Sequence, residues 1–100
     1  MISSEIKELI KENDLFKVKK LTELIDITDH DLCEMISIAA NNYSFTVLQH
    51  LLENNEIDPE IMDSENIKLE KPIDITSYDH ARFLITKQLL EKYNIKYLLL

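Results

Sequence analysis

The chain has 100 residues, of which 45% are hydrophobic, and its 11 basic against 19 acidic side chains give a formal net charge of −8. That length accommodates one domain, and the acidic balance opposes direct nucleic-acid binding, which requires clustered positive charge. Because the chain contains no glycine, it lacks the glycine-rich phosphate loops of nucleotide-binding enzymes.

The N-terminal segment predicts two short helices. Over about 4–13, apolar side chains follow helical spacing and charged residues cover the opposite face. Asn13 and Asp14 are typical of a helix end and a turn. A second helix is expected next, followed by an extended stretch at 25–28, where β-branched residues alternate with polar ones. The apolar positions of the second helix are Phe16, Val18, Leu21, Leu24 and Ile25.

The middle of the chain predicts a second helix pair. Thr28 and Asp31 have the spacing of a capping box, with Asp in place of the usual Glu. A helix is therefore expected to begin there and to end at Asn41 and Asn42, since Asn tolerates the left-handed conformation. A further helix is expected over about 45–54.

Residues 53–66 form a polar connection with six acidic residues and no basic one. Pro59 is expected to prevent a helix there. Beyond the connection, alternating apolar residues around Pro72 predict a hairpin arm, formed by Ile67, Leu69, Ile73 and Ile75.

The C-terminal segment predicts one long helix and an apolar tail. Thr76 and Asp79 have the spacing of a second cap, and the helix is expected to run to about Tyr93. Asn94 should stop it. The apolar residues at 95–100 then form a tail that either folds back over the last helix or contacts another molecule.

Two stretches of the sequence are repeated. IDITDHD (25–31) returns as IDITSYDH (73–80), and FTVLQHLLENNEID (45–58) shares its pattern with FLITKQLLEKYNIK (83–96). Short helix pairs that recur along a chain are typical of solenoid proteins, in which stacked units supply the core.

The repeated residues resemble the ankyrin repeat family. The segment KPIDIT…LLEKYN (71–94) is similar to the family's Thr-Pro-Leu-His/Asp-x-Ala start and its paired leucines. Ile36-Ser37-Ile38-Ala39-Ala40 is similar to the family's Leu-His-x-Ala-Ala. The resemblance implies that Pro72 begins an inner helix, that Ile73 and Ile75 point inward, and that Leu89 and Leu90 are the paired leucines. The chain departs from the family in lacking the glycine between helices.

The expected fold class is therefore all-α: a short helical-repeat solenoid resembling ankyrin repeats, with helix pairs joined by extended or hairpin-like arms. One domain, 1–100, would contain a degenerate first repeat or cap at 1–28 and a second repeat with the acidic connection at 29–66. A third repeat and the apolar tail would occupy 67–100. The alternative is a plain helical bundle or an α+β domain in which the repeated strings are accidental.

No set of residues predicts catalysis, a cofactor or a metal. His30, Asp31 and Cys33 lie within one helical turn, but zinc sites usually require four ligands at recognisable spacing. Cys33 is interpreted as a half-buried helix cysteine, because neighbouring acids oppose a reactive thiolate. We therefore expect a protein that is not an enzyme and uses no cofactor.

The function that we expect is protein binding, as the ankyrin resemblance implies. The acidic connection would favour a partner protein with a basic surface, although it could equally be a solvated loop that only keeps the chain soluble. The expected partner-binding residues are Glu56, Asp58, Glu60, Asp63 and Glu65, together with the inner-helix residues Ser37, Asn41 and Asp74.

Other expectations concern the source, the compartment and a second function. No apolar run is as long as a membrane span, the N-terminal residues lack the apolar stretch of a signal peptide, and the single cysteine excludes an internal disulfide. These features indicate a cytoplasmic adaptor without a membrane contact, encoded by a virus or an intracellular microbe. The alternative is a small acidic viral inhibitor that blocks a nucleic-acid-binding or defence protein by charge mimicry. A homodimer could form through the tail residues Tyr97, Leu98, Leu99 and Leu100.

Overall fold

The computed structural model describes residues 2–100, and the fold of this part of the chain is mostly helical, as predicted. The helices are α1 (Ser4–Lys11), α2 (Leu15–Thr22), α3 (Asp29–Asn41), α4 (Phe45–Glu53), α5 (Pro59–Ser64) and α6 (Tyr78–Lys92). Strand β1 (Lys68–Leu69) precedes α6 and strand β2 (Leu98–Leu99) follows it. Helices α1 to α4 and α6 confirm the predicted elements to within a few residues. None of the helices within residues 2–100 has the length and apolar character that crossing a membrane requires.

Side chains at the predicted positions begin most of the helices. Thr28 and Asp31 form the predicted capping box: Asp31 N donates to Thr28 Oγ1 at 3.0 Å, and Thr28 N donates to Asp31 Oδ2 at 3.2 Å. The cap of α6 differs from the prediction by one residue. Ser77 Oγ accepts from His80 N at 3.1 Å, because Thr76 instead donates through both its amide and its hydroxyl to Asp74 Oδ1.

Three helices end in a left-handed residue although the chain contains no glycine. Asn13, Tyr43 and Asn94 have φ values of 59°, 55° and 57° and follow α1, α3 and α6. In each case the amides of the left-handed residue and of the residue after it close a Schellman motif. After α3, Tyr43 N donates to Ala40 O at 3.2 Å and Ser44 N donates to Ala39 O at 2.8 Å. The expectation that one of the residues Asn41 and Asn42 takes this conformation after α3 was wrong. Tyr43 takes it because its ring packs edge-to-face on Phe83 and its hydroxyl donates to the carbonyl of Glu70.

Asn13 also caps a helix in the other helix pair. Ser44, at the N-cap position of α4, makes no capping hydrogen bond with its side chain. Asn13 Oδ1 takes over this role and accepts from Thr46 N at 3.0 Å and from Val47 N at 3.1 Å. Its Nδ2 donates to Thr46 Oγ1 at 3.2 Å. The turn that ends α1 therefore holds the start of α4, 33 positions further along the chain.

The helices contact one another in two rows. In the first row α1 packs on α3 and α3 packs on α5, and in the second row α2 packs on α4 and α4 packs on α6. The rows are joined where α1 contacts α2 and α3 contacts α4. Ile36 of α3 and Leu48 of α4 are completely buried between them. The core therefore lies along the line where the two rows meet.

The segment between α4 and α6 differs from the prediction in two ways. Pro59 does not prevent a helix but begins α5, because proline lacks only an amide that the first helical turn leaves unpaired. No hairpin arm forms either, since β1 pairs in parallel with β2, with Lys68 opposite Leu98. Parallel pairing requires the long crossover that α6 provides.

The predicted third inner helix at Pro72 is absent, and this part of the ankyrin-derived expectation was wrong. Residues 71–77 contain no helix, and Ile73 and Ile75 are exposed rather than directed inward, with exposed fractions of 101% and 70%. The hydrogen bonds that Asp74 receives from Thr76 hold this stretch as a turn, which leaves the isoleucines outside the core.

Candidate functional site

Helix α5 presents acidic side chains to solvent because its apolar residues face the core. Met62 is buried and Ile61 is half-buried, whereas Glu60 and Asp63 are exposed on the other side of the helix. Asp58 caps the helix, and its Oδ1 accepts from Glu60 N at 3.0 Å and from Ile61 N at 3.4 Å. The acidic connection is thus an ordered helical turn, anchored by one of its own carboxylates.

Helix α5 packs on α3, which carries Asp29 in its first turn. Burial is the main cause that raises the pKa of the Cys33 thiol, and the nearby charges of Glu65, Asp29 and Asp58 raise this pKa further. Asp29 precedes Cys33 in the sequence and Asp58 and Glu65 follow it, yet all three carboxylates raise the pKa of the same thiol. We define the acidic face as these carboxylates with their exposed neighbours: Asp29, Glu56, Asp58, Glu60, Asp63 and Glu65.

The side chains of the acidic face differ in the contacts that they make within the chain. Asp58 is engaged in capping α5, and Asp63 Oδ2 lies 3.6 Å from Lys96 Nζ in an exposed ion pair. Glu56 and Glu60 are exposed, and within residues 2–100 neither side chain makes a hydrogen bond or an ion pair. Glu56 and Glu60 are therefore two carboxylates that can contact another molecule without loosening the fold.

The other predicted partner-binding residues do not join this face. Ser37 is buried, with 7% of its surface exposed, because α1, α4 and α5 all pack around α3. The expectation that Ser37 is available to a partner was wrong. Asn41 is exposed, but its Oδ1 accepts from Lys68 N at 2.9 Å and so holds β1. Asp74 lies in the turn before α6, where hydrogen bonds from Thr76 lower the pKa of its carboxyl.

The C-terminal tail folds back on its own chain, but on β1 and not over the last helix as expected. Leu98 N donates to Ile67 O at 2.9 Å and Leu100 N donates to Leu69 O at 2.8 Å, so the tail pairs with β1 and does not cover the last helix. Tyr97 contacts that helix through its hydroxyl, which donates to Glu91 Oε1 at 2.7 Å. The side chains of Leu98, Leu99 and Leu100 remain exposed, with fractions of 56%, 49% and 62%.

The histidines and the cysteine lie apart from one another. Cys33 is buried with a free thiol, and His30 is exposed at the start of α3. His50 is half-buried near Asn54, and the ring of His80 lies 6.0 Å from that of Phe83. Within residues 2–100, no group of three or more histidine, cysteine or acidic side chains is placed to hold a metal ion.

A pocket of about 250 Å³ lies between α2, α3 and α4. Its lining is largely apolar and includes Val18, Leu32 and Met35, with His50 at one side. The hydroxyl of Thr22 in this lining donates to Val18 O at 2.8 Å, an ordinary hydrogen bond within its helix. The lining therefore pairs no nucleophile with a base, and the acidic face is the stronger candidate site.

Comparison with known proteins adds no relative: no protein-family model, no curated protein and no solved structure matches this chain.

Proposed function

We propose that the chain is a non-catalytic protein-interaction module whose acidic face binds a basic surface of a partner protein. The observation that supports this most is that Asp29 of α3 and both Asp58 and Glu65, which flank α5, raise the pKa of the same buried thiol, Cys33, while α5 packs on α3. Facing charges of opposite sign accelerate the encounter of two proteins and orient them. In this proposal Glu56 and Glu60 contact the partner, and Asp58 and Asp63 hold the segment that carries them.

The two rows of helices support an ankyrin-like repeat arrangement. In this interpretation α1, α3 and α5 are the inner helices and α2, α4 and α6 are the outer ones. The third inner helix is then the short α5 and not a helix at Pro72. The acidic face would then lie on α5, the last inner helix, and on the start of α3. The buried free thiol of Cys33 is compatible with the reducing cytoplasm in which we place the protein.

The proposal is tested by capture from nuclease-treated lysate of the source cell, with the native chain and two charge-reversed variants as baits. The first variant carries Glu56→Lys and Glu60→Lys. The control carries Glu5→Lys and Glu12→Lys, which make the same change in net charge. Glu5 lies in the first turn of α1, as Glu60 does in α5, so these two substitutions have similar helix-dipole effects.

We expect a protein that the native chain and the control retain and that the Glu56→Lys, Glu60→Lys variant loses while it keeps its helical circular dichroism. Equal loss with both variants would show that only net charge matters. Equal retention by all three baits would assign the acidic face to solubility. A retained protein that itself binds nucleic acid would favour the inhibitor over the adaptor.

A further inference from the structure

A second surface, separate from the acidic face, lies beside α6. It is a groove of about 520 Å³ between α6, the turn at 71–77 and β2. Ile75 and Leu99 line one side of the groove, and Phe83 and Leu84 line the other. The side chains of Ile75, Leu84 and Leu99 are exposed, with fractions of 70%, 40% and 49%. The groove therefore exposes apolar surface that the fold itself does not cover.

The residues that α6 contributes have the spacing of a helix-packing face. His80, Phe83, Leu84 and Lys87 stand at i, i+3, i+4 and i+7 and form one continuous stripe along the helix. A second stripe of α6 is buried in the core and consists of Phe83, Thr86 and Leu90. The two stripes share Phe83. The groove stripe lies next to that buried stripe, and α6 is the last helix of its row. A further helix laid along the groove would continue the packing of that row.

The charges around the groove define the kind of helix that fits. Lys71 and Lys87 line it and no carboxylate does, although the chain as a whole has a net charge of −8. Lys87 Nζ lies 3.4 Å from Glu91 Oε1, a pair of side chains that are both partly exposed. An occupant with acidic residues on either side of an apolar stripe would meet both lysines.

The chain's own segments do not meet this requirement. The exposed apolar surface of α2 is centred on Phe16 and is bordered by Lys19, Lys20 and Glu23, so a second copy would bring two lysines and only one carboxylate against the lysines of the groove. The acidic segment is also unsuitable, because Met62 is buried in the core of its own chain and Ile57 and Ile61 are half-buried against that core.

From this geometry we infer that the groove beside α6 binds an amphipathic helix of a partner protein, with an apolar stripe flanked by acidic residues. The helix lies along His80, Phe83, Leu84 and Lys87 and buries Leu84 and Leu99. The acidic side chains of the partner pair with Lys71 and Lys87. This inference does not depend on the acidic face, since the two surfaces share no residue.

The test selects binders to the full-length chain from a displayed library of helix-forming peptides of about four turns. Enriched peptides are then measured for affinity against the native chain, Leu84→Asp, Ile85→Asp and Lys87→Glu. Ile85 is the matched control, because it follows Leu84 on the same helix and is 39% exposed against 40% for Leu84, yet it does not line the groove. Amide chemical-shift changes in the native chain locate the bound peptide.

We expect the enriched peptides to have apolar residues at helical spacing and a net negative charge. Leu84→Asp should weaken binding about tenfold or more, as loss of a central apolar contact does. Ile85→Asp should leave the affinity within about twofold, and Lys87→Glu should select against acidic peptides. Enrichment of extended or basic peptides, or equal losses with Leu84→Asp and Ile85→Asp, would overturn the inference. So would a dimer of the native chain that Leu84→Asp dissociates, because a second copy would then occupy the groove.

Discussion

Replacing Asn13 with glycine tests whether its side chain joins the two helix pairs. Asn94 provides the control, because it follows α6 as Asn13 follows α1 and has almost the same backbone, with φ 57° against 59°. Within residues 2–100 no hydrogen bond uses the Asn94 side chain, whereas that of Asn13 makes three bonds to α4. The backbone effects of the two substitutions should therefore cancel when Asn13→Gly is compared with Asn94→Gly.

The size of the difference follows from those three bonds. Losing a helix N-cap costs about 1 kcal/mol, within a range of about 0.5–2 kcal/mol. Losing the further bond from Asn13 Nδ2 to Thr46 Oγ1 adds about 0.5 kcal/mol, since one of its groups is exposed to water. We therefore expect Asn13→Gly to be less stable than Asn94→Gly by about 1.5 kcal/mol. For a chain of this length that corresponds to roughly 6–12 °C in Tm.

Urea unfolding followed by circular dichroism measures this difference. Asn13→Asp provides a further check, because its carboxylate still accepts from Thr46 N and Val47 N and should cost only about 0.5 kcal/mol. If Asn13→Gly and Asn94→Gly have the same free energy of unfolding, α4 is not capped by Asn13 and the link between the helix pairs is refuted.

Two further predictions concern titratable groups. The hydrogen bond to Glu91 raises the pKa of Tyr97 from 10.0 to about 12, so this bond stabilises the folded chain below pH 10 and the contribution is lost as the pH rises toward 12. The difference in phenolate absorbance between the native chain and Tyr97→Phe should therefore have its titration midpoint near pH 12. Glu91→Gln should lower that midpoint. A midpoint near pH 10 in the native chain would contradict the hydrogen bond between Tyr97 and Glu91. Because burial raises the pKa of Cys33 and covers its sulfur, a thiol reagent at neutral pH should modify Cys33 only as fast as the chain opens. Rapid modification of the folded chain, compared with the urea-unfolded chain, would show that the thiol is accessible.

Most of the helices could be predicted because the signals that define a helix, its apolar spacing and its caps, lie within a few neighbouring residues. The apolar spacing of α1 and the capping box at Thr28 act within a few residues, and the structure has both. The helix that the sequence did not predict, α5, begins with a proline, a residue that breaks helices in their interior. At the first helical position proline costs no hydrogen bond, and Asp58 before it supplies the cap.

The features that could not be predicted depend on contacts between distant parts of the chain. The alternation that includes Leu69 and Ile73 suggests a strand but does not identify its partner, and β1 pairs with the distant β2. Ser37 is a small polar residue on a helix face, and its exposure is decided by the helices packed around α3. The acidic face was predicted in part, since most of its residues lie within 56–65, but the closeness of Asp29 to them depends on α5 packing against α3.

The central claim is that Glu56 and Glu60 attract a basic partner, and the salt dependence of association tests it most directly. The rate constant for binding of the captured partner would be measured from about 0.1 to 1 M salt, over which the Debye length falls from roughly 10 to 3 Å. We predict a steep fall in this rate for the native chain and for Glu5→Lys, Glu12→Lys, and a much shallower fall for Glu56→Lys, Glu60→Lys. An equally steep fall for all three chains would contradict the claim, because the attraction would then come from the net charge and not from the acidic face.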